Sequence, residues 1–254
     1  MQSRLACRVK LHFIRRRPLK TFLLGWSIIQ ESMSSPFDDH SELDGAELER
    51  VLFCFAVEQE AKFFYQPGME ILITGIGREN AERSLHTALK REPYQLVVSC
   101  GFAGGLNPYL STGTVVFATD EDAGLTPLLL TAGACPVKFY SSDRVAITVG
   151  EKRKLWEQTG ADAVEMESQI IRAICRAHTI PSATIRVISD AADENLPLDF
   201  NALMTADQRL NYPKLILTLL TSPMKIPALL RLQRQTQLAA RNLADVLSKV
   251  IPSC

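Results

Sequence analysis

Apolar residues fall along this chain in short runs, separated by stretches with helical spacing. Val51–Val57, Ile71–Thr74, Leu96–Cys100, Thr114–Ala118 and Thr184–Ser189 read as buried strands, too short and too rich in β-branched and aromatic residues for helices. Between them, Asn80, Ala81 and Leu85 recur at helical period, as do Ile170, Ile171, Ile174 and Cys175. The bracket from Gly124 to Gly133 predicts a short helix, and Leu229, Leu232, Leu243, Val246 and Leu247 mark the core-facing stripe of a long one reaching Val250. Strands alternating with amphipathic helices predict an α/β layered fold. No repeat of about 20 to 50 residues is present, which excludes a solenoid.

Composition narrows the picture. With 254 residues, 46% of them hydrophobic, and a formal net charge of zero, the chain can bury a large core and has no global pull towards nucleic acid. Cys54, Cys100 and Cys175 lie inside apolar runs and read as buried thiols, while Cys7 and Cys254 lie near the termini. There is no Cys-x-x-Cys, and His12, His40, His86 and His178 are isolated, so neither a metal nor a redox cofactor is expected; His178 reads as a dipole partner closing its helix.

Residues 1–46 read as a weakly structured N-terminal extension and 47–254 as the folded catalytic domain. Arg15-Arg16-Arg17 precedes an apolar stretch, Thr21–Ile29, that is shorter than a membrane span and has no clear cleavage site. A membrane-contacting tail is the weaker reading and a cytoplasmic protein the stronger. Ser34–Glu49 is polar and acidic, like a linker, and translation from Met33 would leave the folded part whole.

The chemistry gathers where strands end in acid. Phe55-Ala56-Val57-Glu58-Gln59-Glu60, Ala163-Val164-Glu165-Met166-Glu167-Ser168 and Arg186-Val187-Ile188-Ser189-Asp190 each carry carboxylates at the carboxyl end of a strand-like run. In open α/β folds ligands lie beyond those ends, so the three segments can converge on one cleft. Two carboxylates flanking a methionine suit a ribose, the acids taking hydroxyls and the thioether the apolar face. Each also has a bland reading: Glu167 as a first-turn residue favoured by its helix dipole, Glu60 as one of several solvated acids, Asp190 as a turn cap.

The order of Ala56-Val57-Glu58-Gln59-Glu60, Gly75-Ile76-Gly77, Gly101-Phe102-Ala103-Gly104-Gly105-Leu106, Val164-Glu165-Met166-Glu167 and Ile188-Ser189-Asp190 resembles the purine and uridine phosphorylase superfamily. Within it, the pattern is most similar to the methylthioadenosine/S-adenosylhomocysteine nucleosidases. The resemblance implies a three-layer α/β/α fold with a central mixed sheet and cleavage of the N-glycosidic bond of an adenine nucleoside, with a small nucleoside as partner. It also implies a homo-oligomer and a place in nucleoside catabolism and methionine salvage. Glu60 then corresponds to the glutamate that activates water and Asp190 to the acid that protonates the purine at N7. Gly77, Phe102, Ala103, Gly104, Val145, Glu165, Met166, Glu167 and Ser189 fall at substrate-binding positions. Such chemistry needs an acid at the departing base and a carboxylate near the cationic sugar. Asp190 must hold a proton, and Ser189 is a candidate for the hydrogen bond that keeps it neutral.

The chain also departs from that pattern. Phe102 stands where the nucleosidases usually carry a serine, Val145 where an aromatic often stacks on the base, and the segment from Phe117 to Ser141 is short. Phosphorolysis is the competing reaction; it needs an anion site, for which Arg78 is the obvious candidate, although Arg78 also reads as a solvated first-turn residue. The Gly101–Leu106 loop holds no arginine and Glu60 would repel phosphate, which favours hydrolysis. The segment from Leu198 to Val250 resembles the tail of hopanoid-associated phosphorylases, which adds an adenosylhopane-type nucleosidase as an alternative. A nucleoside sensor without turnover is the reading from another class.

Overall fold

The computed structural model describes residues 50–64, 69–209 and 211–250. The expected extension, 1–46, lies outside the described residues, as do Cys7, Cys254, His12 and His40. In chain order the elements are β1 (Val51–Phe55), α1 (Glu58–Ala61), β2 (Glu70–Ile73), α2 (Arg78–Leu89), β3 (Leu96–Gly105), β4 (Val115–Thr119), α3 (Thr126–Thr131), β5 (Cys135–Pro136), β6 (Phe139–Ser141), α4 (Val149–Thr159), β7 (Ala163–Glu165), α5 (Ser168–Ala177), β8 (Ser182–Asp190), α6 (Phe200–Leu203), α7 (Tyr212–Thr221) and α8 (Ile226–Val250).

The sheet runs β2-β1-β3-β8-β4-β5. Strands β2, β1, β3 and β8 are mutually parallel, whereas β4 runs antiparallel to β8, so the sheet is mixed. The period-two alternation of β1 sends its side chains into two separate cores. Leu52 and Cys54 pack with Ala81 and Leu85 of α2 and Ile171, Ile174 and Cys175 of α5. Phe53 and Phe55 face the other way, joining Leu243 and Leu247 of α8. Helices on both faces complete the three layers. On α8 the expected stripe divides: Leu243, Val246 and Leu247 are buried, while Leu229 and Leu232 are half-buried.

Two expectations give way. The glycine-rich segment from Gly101 is predicted as a loop, but β3 continues to Gly105 because both sides of the backbone find partners: β8 along its length and β7 at Gly104 and Gly105. A register shift between Ala103 and Gly104 bends the strand end where it meets Asp190. The helix expected from Gly124 to Gly133 shrinks to Thr126–Thr131, since both glycines are left-handed, with φ of 65° and 90°.

Candidate active site

The carboxyl ends of β1, β3, β7 and β8 converge on a cavity of about 280 Å³. Glu60, Phe102, Ala103, Gly104, Val145, Glu165, Met166, Glu167, Ser189 and Asp190 all line it. Gly77 lies outside the lining; its backbone N–H instead donates to Glu167 Oε1 at 2.8 Å and so orients that carboxylate. Arg78 is exposed on the first turn of α2 and is likewise not part of the wall.

Glu60 owes its place to a four-residue helix. As the third residue of α1 it folds its carboxylate back over the helix start, where Oε2 accepts the N–H groups of Ala56 at 2.9 Å and Val57 at 3.3 Å. Oε1 accepts the N–H of Phe102 at 2.8 Å. That approach demands glycine at the preceding position, because a Cβ on Gly101 would meet the Glu60 carboxylate carbon at 2.8 Å. The bland reading of Glu60 as a solvated acid therefore fails: it is 6% exposed. Burial pushes its pKa up, with Arg186 and the three N–H donors opposing. A carboxylate so held is a stronger base than one in water.

Arg186 does not line the cavity but lies behind the wall against its glutamates, and sequence reading missed it. It comes from the middle of β8, is 2% exposed, and pairs with Glu165 at 2.9 Å and Glu167 at 3.4 Å, with Ser99 Oγ at 3.0 Å. Its Nε, though buried, has no hydrogen-bond partner among the described residues. Despite its burial, the surrounding carboxylates hold the guanidinium firmly charged. A lone arginine inside an otherwise apolar strand is itself a signal, because a buried cation needs partners.

The two glutamates of the Val164–Glu167 segment differ in what they can offer. Glu165 accepts from Ser141, from both groups of Ser168, from the Glu167 N–H at 3.0 Å and from Arg186. Burial alone would raise its pKa, but Arg186 and these donors bring it below the usual value. Its oxygens are spent on the protein, so it braces the segment rather than reaching outward. Glu167 occupies the N-cap position of α5 rather than its first turn, but its carboxylate makes no cap hydrogen bond and is turned to Gly77 and Arg186 instead. Burial, reinforced by the like charges of Glu165 and Glu60 and opposed by Arg186, pushes its pKa to about 7. With only those two contacts, its oxygens retain capacity for hydroxyl donors.

At the far strand end, Asp190 is 6% exposed and carries a partner absent from the sequence reading: Lys152 Nζ lies 2.6 Å from Oδ2. Lys152 is fully buried and also donates to the carbonyls of Ala191 at 2.6 Å and Glu194 at 2.8 Å. Ser189 Oγ lies 2.6 Å from Asp190 Oδ1 as donor. Ser189 therefore makes the hydrogen bond expected of it, sharing its hydroxyl with the Ala103 carbonyl at 3.3 Å, and Lys152 is a second partner of the same carboxyl group. Asp190 caps no helix; it faces the cavity between Gly104 and Lys152.

The remaining wall is apolar and arrives from far along the chain: Leu196, Phe200, Met204 and Leu232. Asn201 clamps Val145, accepting its N–H at 2.8 Å and donating to its carbonyl at 2.9 Å. Arg144 also lines the cavity, but it is exposed and paired with Glu151 at 3.3 Å.

A family model described as the phosphorylase superfamily matches residues 134–221. The 5′-methylthioadenosine/S-adenosylhomocysteine nucleosidase of Glaesserella parasuis is 26% identical over 167 residues, 53% of this chain and 73% of the relative. That of Bacillus thuringiensis is 26% identical over 200 residues, 64% of this chain and 84% of the relative. Among solved structures, the Neisseria meningitidis nucleosidase in complex with methylthio-immucillin-A aligns with a TM-score of 0.59 at 20% identity, over 82% of this chain and 100% of that one. Futalosine hydrolase of Helicobacter pylori aligns with a TM-score of 0.54 at 17% identity, over 79% and 98%. The chain is similar to the phosphorylase superfamily and has the nucleosidase fold.

Proposed function

We propose, from this likeness to the phosphorylase superfamily, that the protein is a nucleosidase that hydrolyses the N-glycosidic bond of an adenine nucleoside, such as 5′-methylthioadenosine or S-adenosylhomocysteine. The observation that carries the reading is the meeting of Glu60, Glu167 and Asp190 in one cavity, each buried, from three distant segments.

Each group has a task that its surroundings suit. Glu167 and Met166 hold the ribose, the carboxylate accepting hydroxyls and the thioether covering the apolar face. Glu60 takes a proton from water as the water attacks the anomeric carbon, and its burial makes it basic enough to do so. The departing adenine gains negative charge, and Asp190 delivers a proton to it, with the Lys152 ammonium 2.6 Å away stabilising the carboxylate left behind. Arg186 keeps the three glutamates from repelling one another apart.

Hydrolysis suits the site better than phosphorolysis because both buried cations beside it are already engaged, Arg186 by Glu165 and Glu167 and Lys152 by Asp190. The cation of the wall itself, Arg144, is exposed and paired. The apolar residues of α6 and α8 favour an apolar 5′ substituent and keep the adenosyl-lipid alternative open. Incubating the purified chain with methylthioadenosine, adenosylhomocysteine and inosine, and following base release, tests the reading. Adenine from at least one adenosyl substrate is the expected result. Tight binding with no base released from any of them would instead identify a nucleoside sensor.

A further inference from the structure

Outside the cavity, the largest unexplained feature of the described residues is the surface of α7 and the first half of α8. Tyr212 is 64% exposed, Ile216 58%, Leu217 61%, Leu220 75% and Met224 90%, and Ile226 and Leu230 are also open. Placed at 100° per residue, Tyr212, Ile216, Leu217 and Leu220 fall within about 140° of one another, on one outward face of α7. Leu215, Thr218 and Leu219 form the opposite, half-buried side. Scattered exposed leucines are ordinary; a contiguous apolar face marks an interaction site.

Charge identifies the partner. From Gln208 to Ala244 the chain contains no Asp or Glu, yet it carries Arg209, Lys214, Lys225, Arg231, Arg234 and Arg241. Lys214, Lys225, Arg231 and Arg234 are all exposed around the apolar face. The chain as a whole is neutral, so this stretch concentrates positive charge that is balanced elsewhere. Cations bordering an apolar helix face match a bilayer rich in anionic lipid, which offers hydrocarbon below a layer of negative headgroups.

No single helix among the described residues is long and apolar enough to cross a membrane; α7 and the segment carrying α8 pass by length and composition only as a pair, with a bend of 104° between them. At ten residues, α7 is about 15 Å long, half the thickness of the hydrocarbon layer. The second half of α8 is locked into the protein core through Ala239, Leu243 and Leu247.

We propose that the apolar face of α7 and the start of α8 docks in the plane of an anionic membrane surface. The inference does not depend on the proposed reaction, although α8 also lines the cavity through Leu232 and Thr236 and so joins the docking face to the site.

The test is co-sedimentation of the full chain with vesicles of phosphatidylcholine containing phosphatidylglycerol, against vesicles of phosphatidylcholine alone. Sedimentation with the anionic vesicles only, weakened by salt, is expected. Leu217→Glu with Leu220→Glu should abolish it, and each of Lys214→Gln and Lys225→Gln should weaken it roughly fivefold. Because the sequence before residue 50 has its own arginine run, the comparison of variants with parent in the full chain assigns binding to α7. These side chains are exposed, so unchanged melting temperatures should accompany the losses. Equal sedimentation of parent and variants, or none with anionic vesicles, overturns the proposal. So does protection of α7 from hydrogen exchange in a lipid-free dimer, which would make the occupant a second copy.

Discussion

Lys152 and Asp190 form a buried ion pair, Nζ to Oδ2 at 2.6 Å, with side-chain exposures of 0% and 9%. The two residues come from different layers: Lys152 from the inward side of α4 and Asp190 from the tip of β8. Thr148 and Glu151 cap the start of α4 reciprocally, and Gly160 ends it with φ of 60°, which fixes the helix that presents the ammonium. The pair places a positive charge behind the acid proposed to serve the leaving group.

Lys152→Met should therefore slow adenine release by roughly tenfold to a hundredfold. The loss should be much smaller on a nucleoside whose base leaves without protonation. Removing one partner of a buried pair also costs stability, by about 3–5 kcal/mol. Combining Lys152→Met with Asp190→Asn should recover much of that loss in thermal melts, because no lone charge remains. A double variant no more stable than the worse single one would contradict the coupling.

Glu60→Gln keeps the shape that α1 imposes but cannot accept a proton. Turnover should fall roughly a hundredfold or more while nucleoside binding persists. Binding by calorimetry beside single-turnover rates makes the check; activity within a few-fold of the parent would remove Glu60 from the mechanism.

The pH dependence of Glu167 has a defined sign. Its pKa rises from 4.5 to about 7 on folding, so between those values the folded state holds a proton that the unfolded chain has lost. Ionisation of Glu167 thus destabilises the ligand-free protein progressively as pH rises from about 5 to about 7. Glu167→Gln, which retains an acceptor for the Gly77 N–H, should raise the melting temperature relative to the parent at pH 8 by roughly 5 °C, and by far less near pH 5. A difference that does not vary with pH would contradict the burial of Glu167 among like charges. The same variant should react poorly in ribose recognition, losing preference for ribo- over 2′-deoxynucleosides.

Much of this site was legible because its acids sit at strand ends, where an α/β fold collects ligands. Glu60, Glu167 and Asp190 each follow an apolar run, and their order along the chain carries the resemblance. Lys152 was hidden for a physical reason. It stands in Lys152-Arg153-Lys154, which reads as a solvated helix face, and only the packing of α4 against the loop after β8 buries one of the three. Arg186 was readable in principle, as a charge inside a strand otherwise made of apolar residues. The spending of Glu165 on Ser141, Ser168 and Arg186 was not, since the partners lie on three other elements. The apolar wall from Phe200, Met204 and Leu232 escaped for a similar reason: it depends on how helices return across the sheet, which periodicity does not record.

The identity of the sugar product tests the central claim most directly. The purified chain, incubated with methylthioadenosine with and without inorganic phosphate, should release adenine at the same rate in both, and nuclear magnetic resonance should show free 5-methylthioribose each time. Release that requires phosphate and yields the sugar 1-phosphate would contradict hydrolysis and make the cavity that of a phosphorylase.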